Sequence, residues 1–302
     1  MIAIIPVAGV STLLFLSQKT LKQEQWLPVQ NGITYGISGM TVLQQQDNSL
    51  DLLVVHDNKK PNQGRLGIVK IQGNNLPEYI PLQWQKNTKL PIDLESLTLV
   101  PTKELANKNQ ASHMALSSSG QVYHFSFASD NTISIIKIFA LPGLNKDSNL
   151  EAFALQEIDN KLIAVWAERG EGEKPAIMYW GILDLATYKI NLAGYNPIKV
   201  PLKSPNLRHI SDLKVDNSGV IYITSATDNG NDGPFESAVY IIGSLSVQNQ
   251  QIIFQPKSAI TGVGNYDKHK IEAMEFLPHK KGGIVFGTDD ENKGSSILIK
   301  LN

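Results

Sequence analysis

The chain has 302 residues, of which 42% are hydrophobic and 18% are charged, so it can bury a substantial core without a partner. Its formal net charge of −1 provides no overall field that would attract nucleic acid, which argues against a nucleic-acid-binding role. The absence of cysteine excludes disulfides, thiolate nucleophiles and cysteine-ligated zinc or iron–sulfur sites.

The first 18 residues form an apolar segment distinct from the rest of the chain. Residues 1–17 carry no charged side chain, and the run is shorter than the roughly 20 residues of a membrane span. It resembles the apolar part of an export signal, although no basic residue precedes it. We expect residues 1–18 to be an export signal or an N-terminal anchor; the alternative is an apolar strand. Residues 19–302 would then form one domain in the periplasm, a lumen or the extracellular space, either free or tethered to a membrane.

A hydrophobic pentamer recurs five times along this domain. Its second positions lie 57, 56, 60 and 61 residues apart and are held by Ser38, Glu95, Glu151, Ser211 and Glu272. Self-similarity at a nearly fixed period indicates one supersecondary unit that is repeated. The five residues should therefore occupy one equivalent position around a ring.

Each repeat contains further short apolar runs, rich in Ile, Val, Phe and Tyr and bounded by turn residues, which predict strands. The second runs are residues 52–55, 122–125, 162–166, 220–223 and 284–287. The more polar fourth runs, such as 79–84, 198–202 and 252–255, suit outer edge strands. Four strands per repeat, arranged radially, predict an all-β fold, a β-propeller with four-stranded blades.

The last repeat ends after three strands, so we expect residues 23–29 to supply its fourth strand and to close a ring of five blades. Six smaller blades are the alternative, because residues 105–116 form an extra segment. Five blades are favoured because residues 114–116 lack a carboxylate and fit an insertion between two strands. The fourth positions of the pentamers should form one buried ring: Met40, Leu97, Phe153, Leu213 and Met274.

The glutamates of the pentamers predict an acidic site. First strands line the central channel of a propeller, so Glu95, Glu151 and Glu272 should meet at its mouth. Acidic residues that end the second strands should share this face: Asp57, Asp130, Glu168, Asp228, Asp289 and Asp290. Carboxylates that converge raise one another's pKa unless a cation intervenes, and Ca²⁺ prefers such oxygen ligands. We predict a Ca²⁺ site formed by Glu95, Glu151, Glu272, Asp57, Asp228 and Asp289. The alternative is that each glutamate accepts backbone N–H groups of its own blade.

Basic and hydroxyl side chains are expected around this mouth as ligand-binding residues: Ser38, Ser211, Arg208, His209, Lys268 and His269. Carboxylates inside with cations at the rim would suit a small anionic ligand, such as a phosphate ester, bridged by the metal. The alternative is that the basic residues are ordinary solvated loop residues.

The segments Asp93–Leu97 and Lys270–Met274, the latter followed by Gly283–Asn292, resemble the phytase-like propeller family, which is also described as having esterase-like activity of phytase. The resemblance implies an exported propeller with calcium-dependent phosphoesterase ancestry. The Asp-rich motif ending in Pro-Ala-x-Trp of propeller phytases has no copy in the chain.

The leading hypothesis is therefore an exported or membrane-tethered propeller that binds a small anionic ligand or a protein through its acidic channel mouth. The alternatives are a calcium-dependent phosphoesterase and a lactonase-like metalloesterase. In the phosphoesterase, Glu95, Glu151 and Glu272 would hold the metal, and Arg208 or Lys268 would orient the phosphate.

Overall fold

Five four-stranded antiparallel sheets make up the computed structural model, which describes residues 25–101, 111–127, 132–278 and 282–301. Blade 1 contains β2 Gly39–Gln46, β3 Ser49–Val55, β4 Leu66–Gln72 and β5 Glu78–Pro81. Blade 2 contains β6 Leu94–Leu99, β7 Ser112–Ser117, β8 Gln121–Phe127 and β9 Ile133–Ala140. Blade 3 contains β10 Leu150–Ile158, β11 Lys161–Glu168, β12 Ala176–Asp184 and β13 Lys189–Ile198. The prediction of a propeller with five four-stranded blades is confirmed.

Blade 4 is built from four consecutive strands, whereas blade 5 combines strands from both ends of the chain. Blade 4 contains β14 Leu207–Val215, β15 Val220–Thr227, β16 Glu236–Gln248 and β17 Gln251–Asp267. Blade 5 contains β18 Ile271–Phe276, β19 Ile284–Thr288 and β20 Ser295–Lys300, and its fourth strand is β1 Leu27–Gln30 from the other end of the chain. Strand β1 is antiparallel to β20, with Leu27 opposite Ile297. Two short 3₁₀ helices, Ile33–Tyr35 and Glu291–Lys293, lie in connections. None of the described helices has the length and hydrophobicity needed to cross a membrane. The apolar segment 1–18 lies outside the described residues.

Two strand assignments made from the sequence are wrong. Residues 112–117 are not an insertion but the second strand of blade 2, pairing with β6 through Leu97 and Ala115. All six residues of β7 are buried, so this strand lacks the polar alternation that identifies a half-exposed strand. The runs beginning at Val122 and Ile133 are consequently the third and fourth strands of this blade. In blade 3 the fourth strand is β13 rather than residues 198–202.

Hydrophobic side chains fill the space between each pair of neighbouring blades. The predicted ring of pentamer residues is fully buried, at 0% exposure for each of Met40, Leu97, Phe153, Leu213 and Met274. Each of the five belongs to a different hydrophobic cluster, so each packs against the preceding blade. The ring is therefore distributed over five separate interfaces rather than forming one central core.

Neighbouring inner strands are also joined by hydrogen bonds and by close backbone approach. Ser96 Oγ accepts from the backbone N–H of Phe153 at 3.0 Å, and Asp212 Oδ2 accepts from that of Met274 at 2.8 Å. A Cβ added at Gly39 would lie 2.7 Å from the Cα atom of Ser96, which is closer than atoms can approach. These contacts fix the spacing of the inner strands around the channel.

Phe153→Ala should lower the free energy of unfolding by about 3 to 5 kcal/mol, because a large cavity would remain between blades 2 and 3. Denaturant unfolding measures this change. Ile136→Ala, at a position that is 49% exposed, is the control and should have little effect. A loss for Phe153→Ala as small as that of the control would contradict the packing described.

Candidate functional site

The three pentamer glutamates sit in β-bulges at the start of their inner strands. The pairing of β6, β10 and β18 with the next strand shifts register across Glu95, Glu151 and Glu272. In each case, two consecutive residues of the neighbouring strand pair with the residues on either side of the glutamate, so the glutamate itself has no partner opposite. A bulge leaves its extra residue unpaired and re-aims its side chain. The repeated bulge therefore places the three carboxylates at one end of the channel.

The three glutamates line a cavity of about 100 Å³ at this end, which we call the channel mouth. Its lining comprises Asp57, Lys59, Asp93, Glu95, Asn149, Glu151, Arg169, Arg208, Lys270, Glu272, Asp289 and Glu291. Seven of these described side chains are carboxylic and four are basic, and none is aromatic. The mouth therefore carries more formal negative than positive charge.

Arg208 and Lys270 are the cations held most firmly among the carboxylates. Arg208 donates to Glu272 Oε1 at 2.9 Å and also pairs with Asp228. Lys270 has a side chain that is 1% exposed; its Nζ lies 3.2 Å from Glu272 Oε1 and 3.3 Å from Asp289 Oδ2, and it also pairs with Glu291. Burial would lower the pKa of both bases, but the surrounding carboxylates reverse this and raise it. Both side chains are therefore structural counter-ions of the acidic cluster.

The other half of the channel mouth is less well neutralised. Arg169 Nη1 lies 3.5 Å from Glu151 Oε1, which is long for a hydrogen-bonded ion pair. Lys59 pairs with Asp93 at 3.0 Å, and Ser118 donates to the same carboxylate. Within the described ranges, no basic side chain lies within ion-pair distance of Glu95 and no hydrogen bond reaches its carboxylate, although its residue is only 9% exposed.

Burial and mutual repulsion raise the pKa of several mouth carboxyls. Burial, then the charges of Glu151 and Asp93, raises the pKa of Glu95 well above its usual range. Burial raises the pKa of Glu151 to about 7, with Arg208 opposing this rise and Glu272 adding to it. Burial, then Glu272 and Asp93, raises the pKa of Asp57 to about 6. Near neutral pH, part of this group of carboxyls therefore stays protonated, and the negative charge of the mouth is lower than the number of carboxyls.

Backbone features make room for this concentration of acids. A Cβ at Gly36 would lie 2.2 Å from Asp289 Oδ1, so only glycine leaves space for that carboxylate. Asp289 Oδ1 also accepts from the backbone N–H of Glu291 at 3.0 Å. Burial raises the pKa of Asp289 even though Lys270 opposes the shift.

Several residues predicted at the mouth lie elsewhere. Ser211 Oγ donates to the backbone carbonyl of Ile271 at 2.8 Å and therefore joins blades 4 and 5. Ser38 is buried, with a hydroxyl that has no hydrogen-bond partner among the described residues. Neither hydroxyl lines the cavity, because Ser38 precedes β2, and the pairing irregularity at Ser211 spans several residues instead of a single bulge.

Both predicted histidines make structural contacts, and two further predicted residues of the described ranges do not line the cavity. His209 contacts the carbonyl of Gly172 at 2.9 Å, and His269 contacts Asp290 at 2.7 Å and stacks on Trp26. Lys268 is exposed and outside the cavity lining. Asp228 also lies outside the lining and contributes only by pairing with Arg208. Asp130 lies outside the described residues.

The structure brings together Asp57, Glu95, Glu151, Glu272, Asp289 and Arg208 of the predicted residues. Sequence reasoning did not place Asp93 or Asn149 in the site, and it named Lys270 only as one of the basic residues that precede Glu272. Lys270 could have been found, because residues two apart on a strand face the same side and Glu272 follows at that spacing. Asp93 has a positive φ of 63° before β6, and no local pattern indicates it.

The Ca²⁺ prediction is not tested by the structure. In the part of the chain that is described, no group of three or more acidic or histidine side chains has the arrangement of a metal site. Arg208 and Lys270 instead take up three of the carboxylates that were expected to bind the ion, Glu272, Asp228 and Asp289.

Arg208→Gln should lower the free energy of unfolding at neutral pH by about 3 to 5 kcal/mol, because it leaves buried carboxylates without their counter-ion. The loss should shrink near pH 5, where those carboxylates can take up protons. Chemical unfolding at both pH values measures this. Lys199→Gln removes an exposed ion pair with Glu173 and should leave the free energy of unfolding unchanged at both pH values. An equal loss at both pH values would show that Arg208 acts through packing alone.

Stability should fall as the pH rises from about 4 to about 7, because the folded chain retains protons on Glu151 and Asp57 that the unfolded chain has released. The stabilisation that comes from these retained protons is fully present below about pH 4 and is lost above about pH 7. Urea unfolding across this range should show a shallower fall for Glu151→Gln than for the wild type. Glu78→Gln, at an exposed position on β5, is the control. The same slope in both variants would contradict the burial of Glu151.

No protein-family model matches the chain, and no curated protein matches it. Solved structures of glycoside hydrolases share its fold. The endo-1,4-β-xylanase from Bacteroides thetaiotaomicron is 8% identical with a TM-score of 0.54, over 90% of this chain and 97% of that one. The α-L-arabinofuranosidase from Lactobacillus brevis is 8% identical with a TM-score of 0.52, over 88% of this chain and 90% of that one.

A thermostable family-43 glycoside hydrolase is 9% identical with a TM-score of 0.50, over 88% and 89% of the two chains. These neighbours are five-bladed propellers, so the resemblance to the phytase-like family was wrong. The segments that suggested it are an apolar inner strand with a glutamate at a bulge, which reflects propeller geometry rather than one family. At such identities the similarity establishes the fold alone.

Proposed function

We propose that the chain is a ligand-binding propeller whose channel mouth binds a small organic cation through a primary ammonium group. The observation that carries the proposal is the buried carboxylate of Glu95, which lines a cavity with excess negative charge and has no basic side chain within ion-pair distance among the described residues. A bound cation would stabilise the ionised forms of Glu95, Glu151 and Asp57 together.

Lys270 provides an internal model for this interaction. Its ammonium group is surrounded by the carboxylates of Glu272, Asp289 and Glu291. Glu95, Glu151 and Asp57 form a comparable set in the same cavity, without a basic side chain placed as closely. A cavity of about 100 Å³ suits a small charged head group better than a whole drug-sized molecule.

This proposal revises the ligand expected from the sequence. An anionic ligand would face the excess of carboxylates directly, whereas a cation would relieve it. Ca²⁺ offers the same charge chemistry and stays a prediction, but it would have to compete with Arg208 and Lys270 for their carboxylates. A primary ammonium uses N–H donors, which the free carboxylate oxygens can accept.

The test compares methylammonium, tetramethylammonium and calcium chloride by isothermal titration calorimetry and thermal unfolding. Methylammonium should bind at one site, and at a hundredfold excess over Kd it should stabilise the fold by about 2.7 kcal/mol. Glu95→Gln and Glu151→Gln should each weaken binding by about tenfold or more, because each removes a charge-assisted contact. Glu78→Gln should leave the affinity unchanged.

Tetramethylammonium carries the same charge without N–H donors and should bind much more weakly. Equal binding of the two ammonium ions would overturn specific recognition of a primary ammonium. Binding of calcium without methylammonium would replace the ammonium proposal with the metal site. The absence of saturable binding by all three salts would remove the mouth as a cation site.

Glycoside hydrolysis is the second candidate, favoured by the contrast between two mouth carboxyls. Glu151 has a pKa raised to about 7, as a general acid requires, whereas Glu272 lies against two cations, Arg208 and Lys270. Glu151 would protonate the leaving oxygen and Glu272 would activate water. The lining without aromatic rings and the small cavity favour the binding function.

The hydrolysis candidate predicts release of p-nitrophenol from p-nitrophenyl arabinofuranoside, xyloside or galactoside. Glu151→Gln should lower kcat by about a hundredfold or more, because it removes the proton donor. A wild-type rate no higher than that of Glu151→Gln on all three substrates would exclude this candidate without affecting the binding proposal.

A further inference from the structure

A second cavity lies at the opposite end of the channel from the acidic mouth. It has a volume of about 390 Å³ and is lined by residues of the five inner strands and by residues that follow three of them. We call it the lower cavity. Leu99, Leu155 and Phe276 each lie four residues beyond a mouth glutamate, which places them about 13 Å away along the strand. The lower cavity is therefore separate from the site described above.

Apolar side chains form most of its wall. The apolar lining residues are Val42, Leu99, Pro101, Ala154, Leu155, Val215, Phe276, Leu277 and Pro278. Specific small-molecule pockets are mainly apolar, with a few placed polar groups, and have volumes from about 300 to 1,000 Å³. The lower cavity meets both conditions, whereas the channel mouth meets neither.

Two charged side chains, the buried Lys214 and the half-buried Glu275, provide the polar groups of interest. Lys214 Nζ donates to the backbone carbonyl of Leu97 at 2.6 Å and to that of Met40 at 3.2 Å. Its third donor faces Glu275, but the distance from Nζ to Oε2 is 3.7 Å, too long for a direct hydrogen bond. The other oxygen of Glu275 accepts from the backbone N–H of Phe276 at 2.9 Å.

This arrangement leaves one donor and one acceptor close together in an apolar cavity. A hydroxyl group placed between them would accept from Lys214 and donate to Glu275, so it would satisfy both at ordinary hydrogen-bond distances. An anionic ligand would be less suitable, because two carboxylates, Glu275 and Asp216, line the cavity against one cation, Lys214. The walls would contact an apolar body attached to that hydroxyl.

We propose that the lower cavity binds a small uncharged amphiphile, an alcohol or phenol whose hydroxyl bridges Lys214 and Glu275 and whose apolar part lies against Leu99, Leu155 and Phe276. This site is independent of the cation site at the mouth. The two sites would give the propeller one polar and one amphiphilic ligand position along one channel.

The test uses p-cresol, toluene and 4-methylbenzoate, which share a ring and a methyl group and differ in the polar group. Titration followed by NMR should show saturable binding of p-cresol at one site. Toluene should bind about tenfold more weakly, because it lacks the bridging hydroxyl. The charged 4-methylbenzoate should also bind at least about tenfold more weakly, since its carboxylate would face Glu275.

Leu99→Trp should abolish p-cresol binding by filling the cavity, and Leu76→Trp, at a position that is 72% exposed, is the matched control. Glu275→Gln should reduce the preference for p-cresol over toluene, and Glu78→Gln, at an exposed position on β5, should leave p-cresol binding unchanged. Equal affinities for p-cresol and toluene would overturn the hydroxyl bridge. Absence of saturable p-cresol binding, or unchanged binding in a folded Leu99→Trp variant, would overturn the site.

Discussion

The compensation of buried negative charge is the constraint on which the channel mouth depends. Repetition of one bulge places glutamates from three blades at the same end of a narrow channel, where they would repel one another. Arg208 and Lys270 neutralise one half of this cluster through buried ion pairs. The remaining half retains Glu95 and Glu151, whose pKa values are raised by burial and further by neighbouring carboxylates.

The two ends of the channel differ because the inner strands change character along their length. Three of them begin with a glutamate at a bulge, and all five continue into apolar residues that pack between blades. At the far end, the ion pair of Lys214 and Glu275 lies beside mainly apolar walls. A single set of five strands thus builds one site that attracts charge and another suited to an uncharged ligand.

The fold could be predicted from the sequence because propeller repeats leave a periodic hydrophobic signal. The pentamer spacing and its buried fourth positions, such as Phe153, depend only on local pattern and repetition. Strand β7 escaped detection because it is buried throughout and lacks polar alternation. The family resemblance failed because the quoted segments reflect inner-strand geometry that unrelated propellers share.

The site was predicted less completely because side-chain pairing between blades leaves no local signal. The convergence of Glu95, Glu151 and Glu272 followed from the repeat. That Arg208 would pair with Glu272, 64 residues away, depends on packing between blades 4 and 5. Lys270 is an exception, because its spacing of two residues from Glu272 indicates the same side of the strand, whereas the adjacent His269 stacks on Trp26.

The most direct test of an undercompensated channel mouth is an NMR titration of the glutamate side-chain carboxyl carbons, with Glu95→Gln and Glu151→Gln used to assign the signals. Both carboxyls should titrate well above the ordinary glutamate pKa of about 4.3, and methylammonium should lower both midpoints. Midpoints near the ordinary value, unaffected by methylammonium, would contradict an undercompensated channel mouth.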